Sequence, residues 1–236
     1  DVNKYSRPKV PLQSVDSIVI HYTANPGTEA EANRNYFNNL ANQDGVENPT
    51  YASSNFVIGI DGEIIAAVPI DEVAYASNQL NETSLSIENC HPDETGQFTD
   101  ATYQSLIKLT AWLCHHYGLT SENVIRHYDV TGKACPLYYV EHEDAWTQLK
   151  ADVQTEINRL NAENVASGDA AASVSETNST IASEADNGST AESGSEDVSG
   201  TDAENTGASK AESVSNENAD SESVSAELQS QQSGAE

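Results

Sequence analysis

Three residues that are far apart in the chain, His21, His127 and Cys135, are of the types that bind zinc. His21 ends the apolar run at 17–20, and His127 ends a short apolar segment at 124–125. Cys135 follows beyond a Thr-Gly turn that can fold the loop back. Catalytic zinc sites use three protein ligands and leave the fourth position for water. With one thiolate ligand the site keeps a net charge of +1, which strongly acidifies the bound water. This set therefore predicts a zinc hydrolase.

The remaining histidines are expected to have no part in this site. For any single histidine, an ordinary place in the core or on the surface is the better expectation, and the spacing of the candidate ligands is too loose to identify a site by itself. What favours the candidate ligands is their position at the ends of predicted elements. The histidines assigned to ordinary roles are His91, His115, His116 and His142.

Hydrolysis of an amide needs a base for the proton of water, an acid for the leaving nitrogen and a positive group for the oxyanion. Glu88 ends an alternating strand on its polar face and is the candidate for base and then acid. Lys133 lies two residues before Cys135 and is the candidate for stabilising the oxyanion. The alternatives are a carboxylate paired with a nearby base and a solvated loop cation.

The other cysteines and one aspartate have secondary parts in this prediction. Cys90 and Cys114 are predicted to be small buried apolar residues, although a disulfide between them stays open. Asp129 is a candidate to accept a hydrogen bond from a ligating imidazole.

The charge of the chain excludes some partners. With 38 acidic and 10 basic residues, the net charge is −28. Binding to nucleic acid or to an anionic membrane surface needs clustered Lys and Arg, so neither is expected. No apolar stretch reaches 18 residues, and we therefore expect no insertion into a membrane.

The composition changes near residue 163. Residues 163–236 contain 16 acidic residues, one Lys and no aromatic residue, so they cannot bury enough apolar surface to offset the entropy of ordering. We predict one globular domain at 1–162, followed by a disordered, low-complexity acidic tail at 163–236.

Hydrophobic patterns predict an α/β fold with a mixed central sheet and helices packed on it. Asp61-Gly62 between two apolar runs is a strong hairpin signal. In the strand at 84–88, the alternation predicts apolar residues on one face and polar residues on the other. Predicted strands lie at 17–22, 55–60, 63–68, 84–88 and 123–126, and predicted helices at 28–41, 100–117 and 144–160.

Four segments together resemble one family. Residues 20–27, 53–62, 85–88 and 126–136 are similar to motifs of the type 2 N-acetylmuramoyl-L-alanine amidases, which share a fold with the peptidoglycan recognition proteins. The similarity covers about residues 14–155, in the right order, and the segment 126–136 is highly specific.

The resemblance implies one zinc ion per chain, held by His21, His127 and Cys135. It also implies cleavage of the amide between the lactyl group of N-acetylmuramic acid and the L-alanine of the stem peptide. Glu88 and Lys133 fall where one branch of the family has its catalytic Glu and Lys. Another branch has a Tyr where this chain has Ser54, so the resemblance assigns the acid and base role to Glu88 instead.

Two alternatives to a peptidoglycan amidase are open. The first is a module of the same fold that binds peptidoglycan without cutting it; because such members typically lack the ligating Cys, Cys135 favours the enzyme. The second is a surface or adhesion protein in which the tail is the working part. We expect a monomer that acts outside the cytoplasmic membrane, secreted or associated with the cell wall. That location follows from the implied substrate, since no signal peptide is visible.

Overall fold

Five strands form one mixed β-sheet in the computed structural model, which describes residues 1–181, with side chains through residue 165. The order across the sheet is β3-β2-β4-β1-β5, and only the β2–β3 pair is antiparallel. The predicted mixed α/β sheet is confirmed. The strands are β1 (Ser17–Tyr22), β2 (Phe56–Ile58), β3 (Ile64–Ala66), β4 (Ser84–Asn89) and β5 (Val124–Arg126).

Two of the three predicted helices have nearly the predicted bounds, and two short helices near the candidate site were not predicted. The helices are α1 (Ala30–Asn39), α2 (Asp100–Tyr117), α3 (His127–Thr131), α4 (Leu137–Glu141) and α5 (Glu143–Ile181). Thr99 caps the start of α2 by accepting a hydrogen bond from the Thr102 amide, at 3.1 Å. No helix within residues 1–181 is long and apolar enough to cross a membrane.

The last helix is longer than predicted. It continues from Leu160, where we expected its end, to Ile181, and so includes the first residues assigned to the tail. The stretch 161–174 has several alanines and no proline, a composition that permits a helix to continue. Asp1–Val165 belongs to one compact unit, and a second unit begins at Ala166. The rest of the predicted tail, residues 182–236, lies outside the described residues.

One face of the sheet carries the main hydrophobic core. Ile18 and Ile20 of β1 and Leu85 and Ile87 of β4 are fully buried there. They pack with the apolar faces of α2 and α5, as the helical periodicity predicts. The buried helical residues of this core include Leu106, Ile107, Leu113, Cys114, Trp146, Leu149, Val153 and Ile157.

The other face of the sheet is also buried along β4. The alternation predicts a polar face on β4, and Ser84 and Ser86 on that face are buried. Because β4 is the central strand, it is covered on both sides. A small cluster that joins Ala30 of α1 to Val57 of β2 and to Cys90 covers part of this face.

The predicted hairpin around Asp61-Gly62 is confirmed, with shorter strands. Its turn is closed by a hydrogen bond of 2.8 Å from the Gly59 amide to the Glu63 carbonyl oxygen. Gly62 has φ +84°, and a Cβ atom there would lie 2.7 Å from the carbonyl oxygen of Ala101 in α2. Only glycine fits this conformation so close to a helix backbone.

Candidate metal centre

The two candidate histidine ligands lie side by side at one edge of the sheet. β1 and β5 are parallel neighbours, with Ile20 opposite Arg126, so that the next residues along are His21 and His127. His21 is still within β1, whereas His127 is the first residue of α3 rather than the end of a strand. Their ring centroids are 4.7 Å apart, and both rings are buried.

A tight turn after α3 returns Cys135 to the histidines. Gly132 takes a left-handed conformation with φ +82°, and the Tyr128 amide donates a hydrogen bond of 2.9 Å to the Cys135 carbonyl oxygen. As a result, Cys135 Sγ lies 3.8 Å from His21 Nδ1.

These three side chains have the chemistry of a zinc site and lie close enough together that they could hold one ion. One potential ligand atom from each of His21, His127 and Cys135 lies within 4.8 Å of the others, and all three residues are buried. Tetrahedral zinc with Zn–N and Zn–S bonds of ordinary length separates its ligand atoms by roughly 3.3–3.6 Å. The donor set therefore fits zinc in the type and number of its ligands, and the ligand atoms would lie closer to one another around a bound ion.

Arg126 fixes the chain segment between the histidine and the cysteine. Its guanidinium forms ion pairs with Asp129 at 2.8 Å and with Glu143 at 2.7 Å, and it donates to the Tyr139 carbonyl oxygen. Asp129 also accepts a hydrogen bond of 2.8 Å from the Arg126 amide. The prediction that Asp129 accepts from a ligating imidazole is therefore wrong, because Arg126 occupies its carboxylate.

Two other residues contact the imidazoles. Ser77 Oγ lies 3.3 Å from His21 Nε2, and Asn78 Oδ1 lies 3.0 Å from His127 Nε2. With Nε2 engaged in this way, each ring has Nδ1 available for a metal. Sequence reasoning missed both residues, and no signal would have identified them, because serine and asparagine are ordinary residues in a polar loop.

Burial keeps all three candidate ligands uncharged in the absence of a metal. It lowers the pKa of His127 to about 4 and that of His21 well below its usual value. Burial also raises the pKa of the Cys135 thiol to about 12, and the nearby Glu88 adds to this shift. A metal must therefore displace the thiol proton when it binds.

Glu88 lies directly beside this set. In the register of β1 and β4 it is opposite His21, so both side chains leave the same face of the sheet. Burial raises the pKa of Glu88 to about 8, while the positive charge of Lys133 acts in the opposite direction. Among the described residues, Glu88 Oε2 is buried with no hydrogen-bond partner.

Lys133 contributes positive charge to the whole group. It is half-buried, and its charge lowers the pKa of His21, of His127 and of Glu88. It has the same effect on the thiol of Cys135. The structure thus brings both predicted catalytic side chains near the three candidate ligands, and their roles remain predictions.

The remaining histidines lie apart from the three candidate ligands. His91 is buried and contacts the Asp93 carbonyl oxygen at 2.7 Å. His116 stacks on Trp112, and His142 stacks on Tyr138. Among the described residues, His21, His127 and Cys135 form the one group arranged to hold a metal.

Three further residues have structural roles. Cys90 and Cys114 are buried free thiols, as the sequence predicted, and no disulfide joins them. Ser54 is fully buried and donates to the Phe56 carbonyl oxygen at 2.8 Å, so it holds the start of β2.

The family of the chain follows from its fold, this site and a sequence match. The family model described as N-acetylmuramoyl-L-alanine amidase matches residues 11–137, which is more than half of the chain. The chain therefore belongs to the N-acetylmuramoyl-L-alanine amidase family, and the resemblance noted in the sequence is confirmed.

Individual relatives agree with this assignment. A probable N-acetylmuramoyl-L-alanine amidase of Bacillus licheniformis is 32% identical over 170 residues, which cover 67% of this chain and 46% of that protein. The N-acetylmuramoyl-L-alanine amidase BlyA of Bacillus subtilis strain 168 is 31% identical over 178 residues, covering 66% and 46%. The chain thus spans about half the length of the curated relatives it matches.

Solved structures share the fold. The catalytic domain of XlyA is 26% identical with a TM-score of 0.52, and the match covers 65% of this chain and 94% of that domain. PlyL is 22% identical with a TM-score of 0.52, covering 64% and 90%. The PlyL likeness concerns the fold alone.

Proposed function

We propose that the chain is a zinc-dependent peptidoglycan amidase. It cleaves the bond between the lactyl group of N-acetylmuramic acid and L-alanine of the stem peptide. The observation that carries this proposal is the set of three uncharged, buried donors within 4.8 Å of one another, with a carboxyl beside them. The relatives named as amidases support the same bond, although the chain matches only about half of their length.

His21, His127 and Cys135 would hold one zinc ion. Two imidazoles and one sulfur are a ligand set that zinc accepts while a fourth position stays open. When bound, zinc supplies Lewis-acid chemistry, which acidifies water and polarises a carbonyl group. The low pKa of both histidines favours metal binding, because neutral imidazoles do not have to lose a proton first.

Glu88 handles the proton in this proposal. Its carboxylate takes a proton from the attacking water and returns it to the leaving nitrogen of L-alanine as the amide bond breaks. A group with a pKa close to the working pH is suited to both transfers, and burial sets the pKa of Glu88 at about 8. The charge of Lys133, together with that of a bound cation, makes the carboxylate form available.

Lys133 stabilises the oxygen of the amide carbonyl as that oxygen becomes negative. Its charge already acts on Glu88 and on all three candidate ligands. Electrostatic stabilisation of this kind is often the largest single contribution to catalysis. The substrate in this proposal is peptidoglycan. Because peptidoglycan lies outside the cytoplasmic membrane, we propose that the chain acts there.

Release of dye from labelled cell walls tests the proposal. We expect the protein to release dye, a metal chelator to abolish release, and added Zn²⁺ to restore it. If the protein sediments with walls but releases nothing at any zinc concentration, the chain is instead a module that binds peptidoglycan without cutting it. Release that a chelator leaves unchanged would show that the reaction needs no metal.

A further inference from the structure

One short segment contacts both candidate histidine ligands. The consecutive residues Ser77 and Asn78 lie at the start of a 3-10 turn, Asn78–Leu80, between β3 and β4. Ser77 Oγ is 3.3 Å from His21 Nε2, and Asn78 Oδ1 is 3.0 Å from His127 Nε2. Two ligands from distant parts of the chain are therefore oriented by neighbours in the sequence.

The segment is itself held in place by several hydrogen bonds. Asn81 Oδ1 accepts from the amides of Ala76, at 3.1 Å, and of Ser77, at 2.7 Å. Ser84 Oγ donates to the Leu80 carbonyl oxygen at 2.8 Å. These contacts fix the backbone on both sides of Asn78.

Asn78 has a backbone conformation that few residues tolerate. Its φ is +51°, in the left-handed region. Asparagine is one of the few residues other than glycine that adopt this region at small cost. The left-handed turn and the carboxamide that contacts His127 are thus supplied by the same residue.

We propose that Ser77 and Asn78 are positioning residues for the metal, and the inference rests on the proposed zinc site. Each accepts a hydrogen bond from the Nε2–H of its histidine. The tautomer fixed in this way has its lone pair on Nδ1, and His21 Nδ1 lies 3.8 Å from Cys135 Sγ. Because the two acceptors are adjacent on one anchored turn, they orient the two rings relative to each other as well as singly.

The test measures the zinc dissociation constant of the full chain by competition with a chromophoric chelator. Ser77→Ala removes one acceptor. Asn78→Gly removes the other and keeps the left-handed backbone available, while Asn78→Asp retains an oxygen at the same place. Loss of such an outer contact typically weakens metal binding 10- to 100-fold. We expect losses of about that size for Ser77→Ala and Asn78→Gly and near-normal affinity for Asn78→Asp.

Ser84→Ala is the matched control. Ser84 is buried like Ser77 and holds the same segment through the Leu80 carbonyl oxygen, yet none of its hydrogen bonds goes to a histidine. We expect this variant to retain the zinc affinity of the unaltered chain. If Ser84→Ala weakens zinc binding as much as Ser77→Ala does, the effect comes from general loosening of the segment and the inference is overturned.

A second measurement assigns each contact to its own ring. In the zinc-loaded protein, the Nε2–H protons of His21 and His127 should exchange slowly with water in NMR spectra. Ser77→Ala should speed exchange at His21 alone, and Asn78→Gly at His127 alone. Unchanged exchange and unchanged affinity in both variants would overturn the inference. If the unaltered chain binds no zinc at all, the proposed function fails instead.

Discussion

His21 and Glu88 are opposite each other on two adjacent parallel strands, β1 and β4. Their side chains leave the same face of the sheet, so the pairing of the strands places the carboxyl beside a candidate metal ligand. Val57 of β2 is the other register neighbour of Glu88, and it is fully buried. This apolar neighbour helps to exclude water from the carboxyl of Glu88, and the loss of solvation raises its pKa to about 8.

Replacing the sulfur ligand should remove the metal. In Cys135→Ser a neutral hydroxyl, a poor zinc ligand, takes the place of the thiolate. We expect the zinc content, measured by atomic absorption, to fall from about one per chain to near zero, with activity lost in parallel. Cys90→Ser is the matched control: Cys90 is also buried but contacts Asn33 instead of the site, and this variant should keep its zinc. Full zinc occupancy in Cys135→Ser would contradict the ligand assignment.

Removing the carboxyl should impair turnover and spare the metal. We expect Glu88→Gln to lower the rate of wall hydrolysis by about 10²- to 10⁴-fold, the usual contribution of a positioned acid or base. Its zinc content should stay near one per chain. Glu122→Gln changes an exposed carboxylate that pairs with Lys150, and it should retain activity. Normal hydrolysis by Glu88→Gln would show that another group transfers the proton.

The pH dependence of stability should report the buried carboxyl in zinc-depleted protein. Its folded pKa of about 8 lies above the usual value of 4.5, so the folded state holds a proton that the unfolded state loses between these values. The contribution of the protonated Glu88 side chain to the free energy of unfolding is fully present below pH 4.5. It is lost as the pH rises toward 8.

Urea unfolding across this pH range, with a chelator present, compares the unaltered chain with Glu88→Gln. As the pH increases from 4.5 to about 8, the free energy of unfolding of the variant should rise relative to that of the unaltered chain, by at most about 1.4 kcal/mol per pH unit. Below pH 4.5 and above about pH 8, the difference between the two free energies of unfolding should not change with pH. A difference that does not depend on pH would show that the carboxyl is not buried in the way described.

The hairpin turn offers a test of the fold next to α2. Gly62→Ala forces a side chain into a left-handed conformation and brings its Cβ to 2.7 Å from the Ala101 carbonyl oxygen. Gly45→Ala has the same backbone requirement, with φ +89°, but its Cβ would meet nothing within 4 Å. We expect Gly45→Ala to cost about 1–2 kcal/mol and Gly62→Ala to cost about 1–3 kcal/mol more. Equal losses in urea unfolding would contradict the close approach of the turn to α2.

Much of the fold could be predicted because the signals were local. The apolar run before His21 and the Asp61-Gly62 turn each determine their element through neighbouring residues alone. The burial of Ser86 could not be predicted in this way. Its alternating strand is typical of a half-exposed sheet, and only the central place of β4 and the cluster around α1 show why both faces are covered.

The candidate site could be predicted only in part, because the sequence shows its residue types but not its tertiary contacts. The residue types and the family resemblance suggested His21, His127 and Cys135, but their approach depends on the bond between Tyr128 and Cys135 across the turn. The contacts of Ser77 and Asn78 depend on tertiary structure and have no motif. The extra length of α5 could not be predicted, because a polar segment without an apolar stripe has no periodic signal for a helix.

The proposed function is tested most directly by identifying the bond that the protein cuts. Purified peptidoglycan would be digested with the zinc-loaded chain, and the products would be identified by mass spectrometry. We expect free stem peptides that begin with the amino group of L-alanine, together with glycan strands whose muramic acid has a free lactyl carboxyl. Products cut within the stem peptide or between sugars, or intact muropeptides after complete incubation, would contradict it.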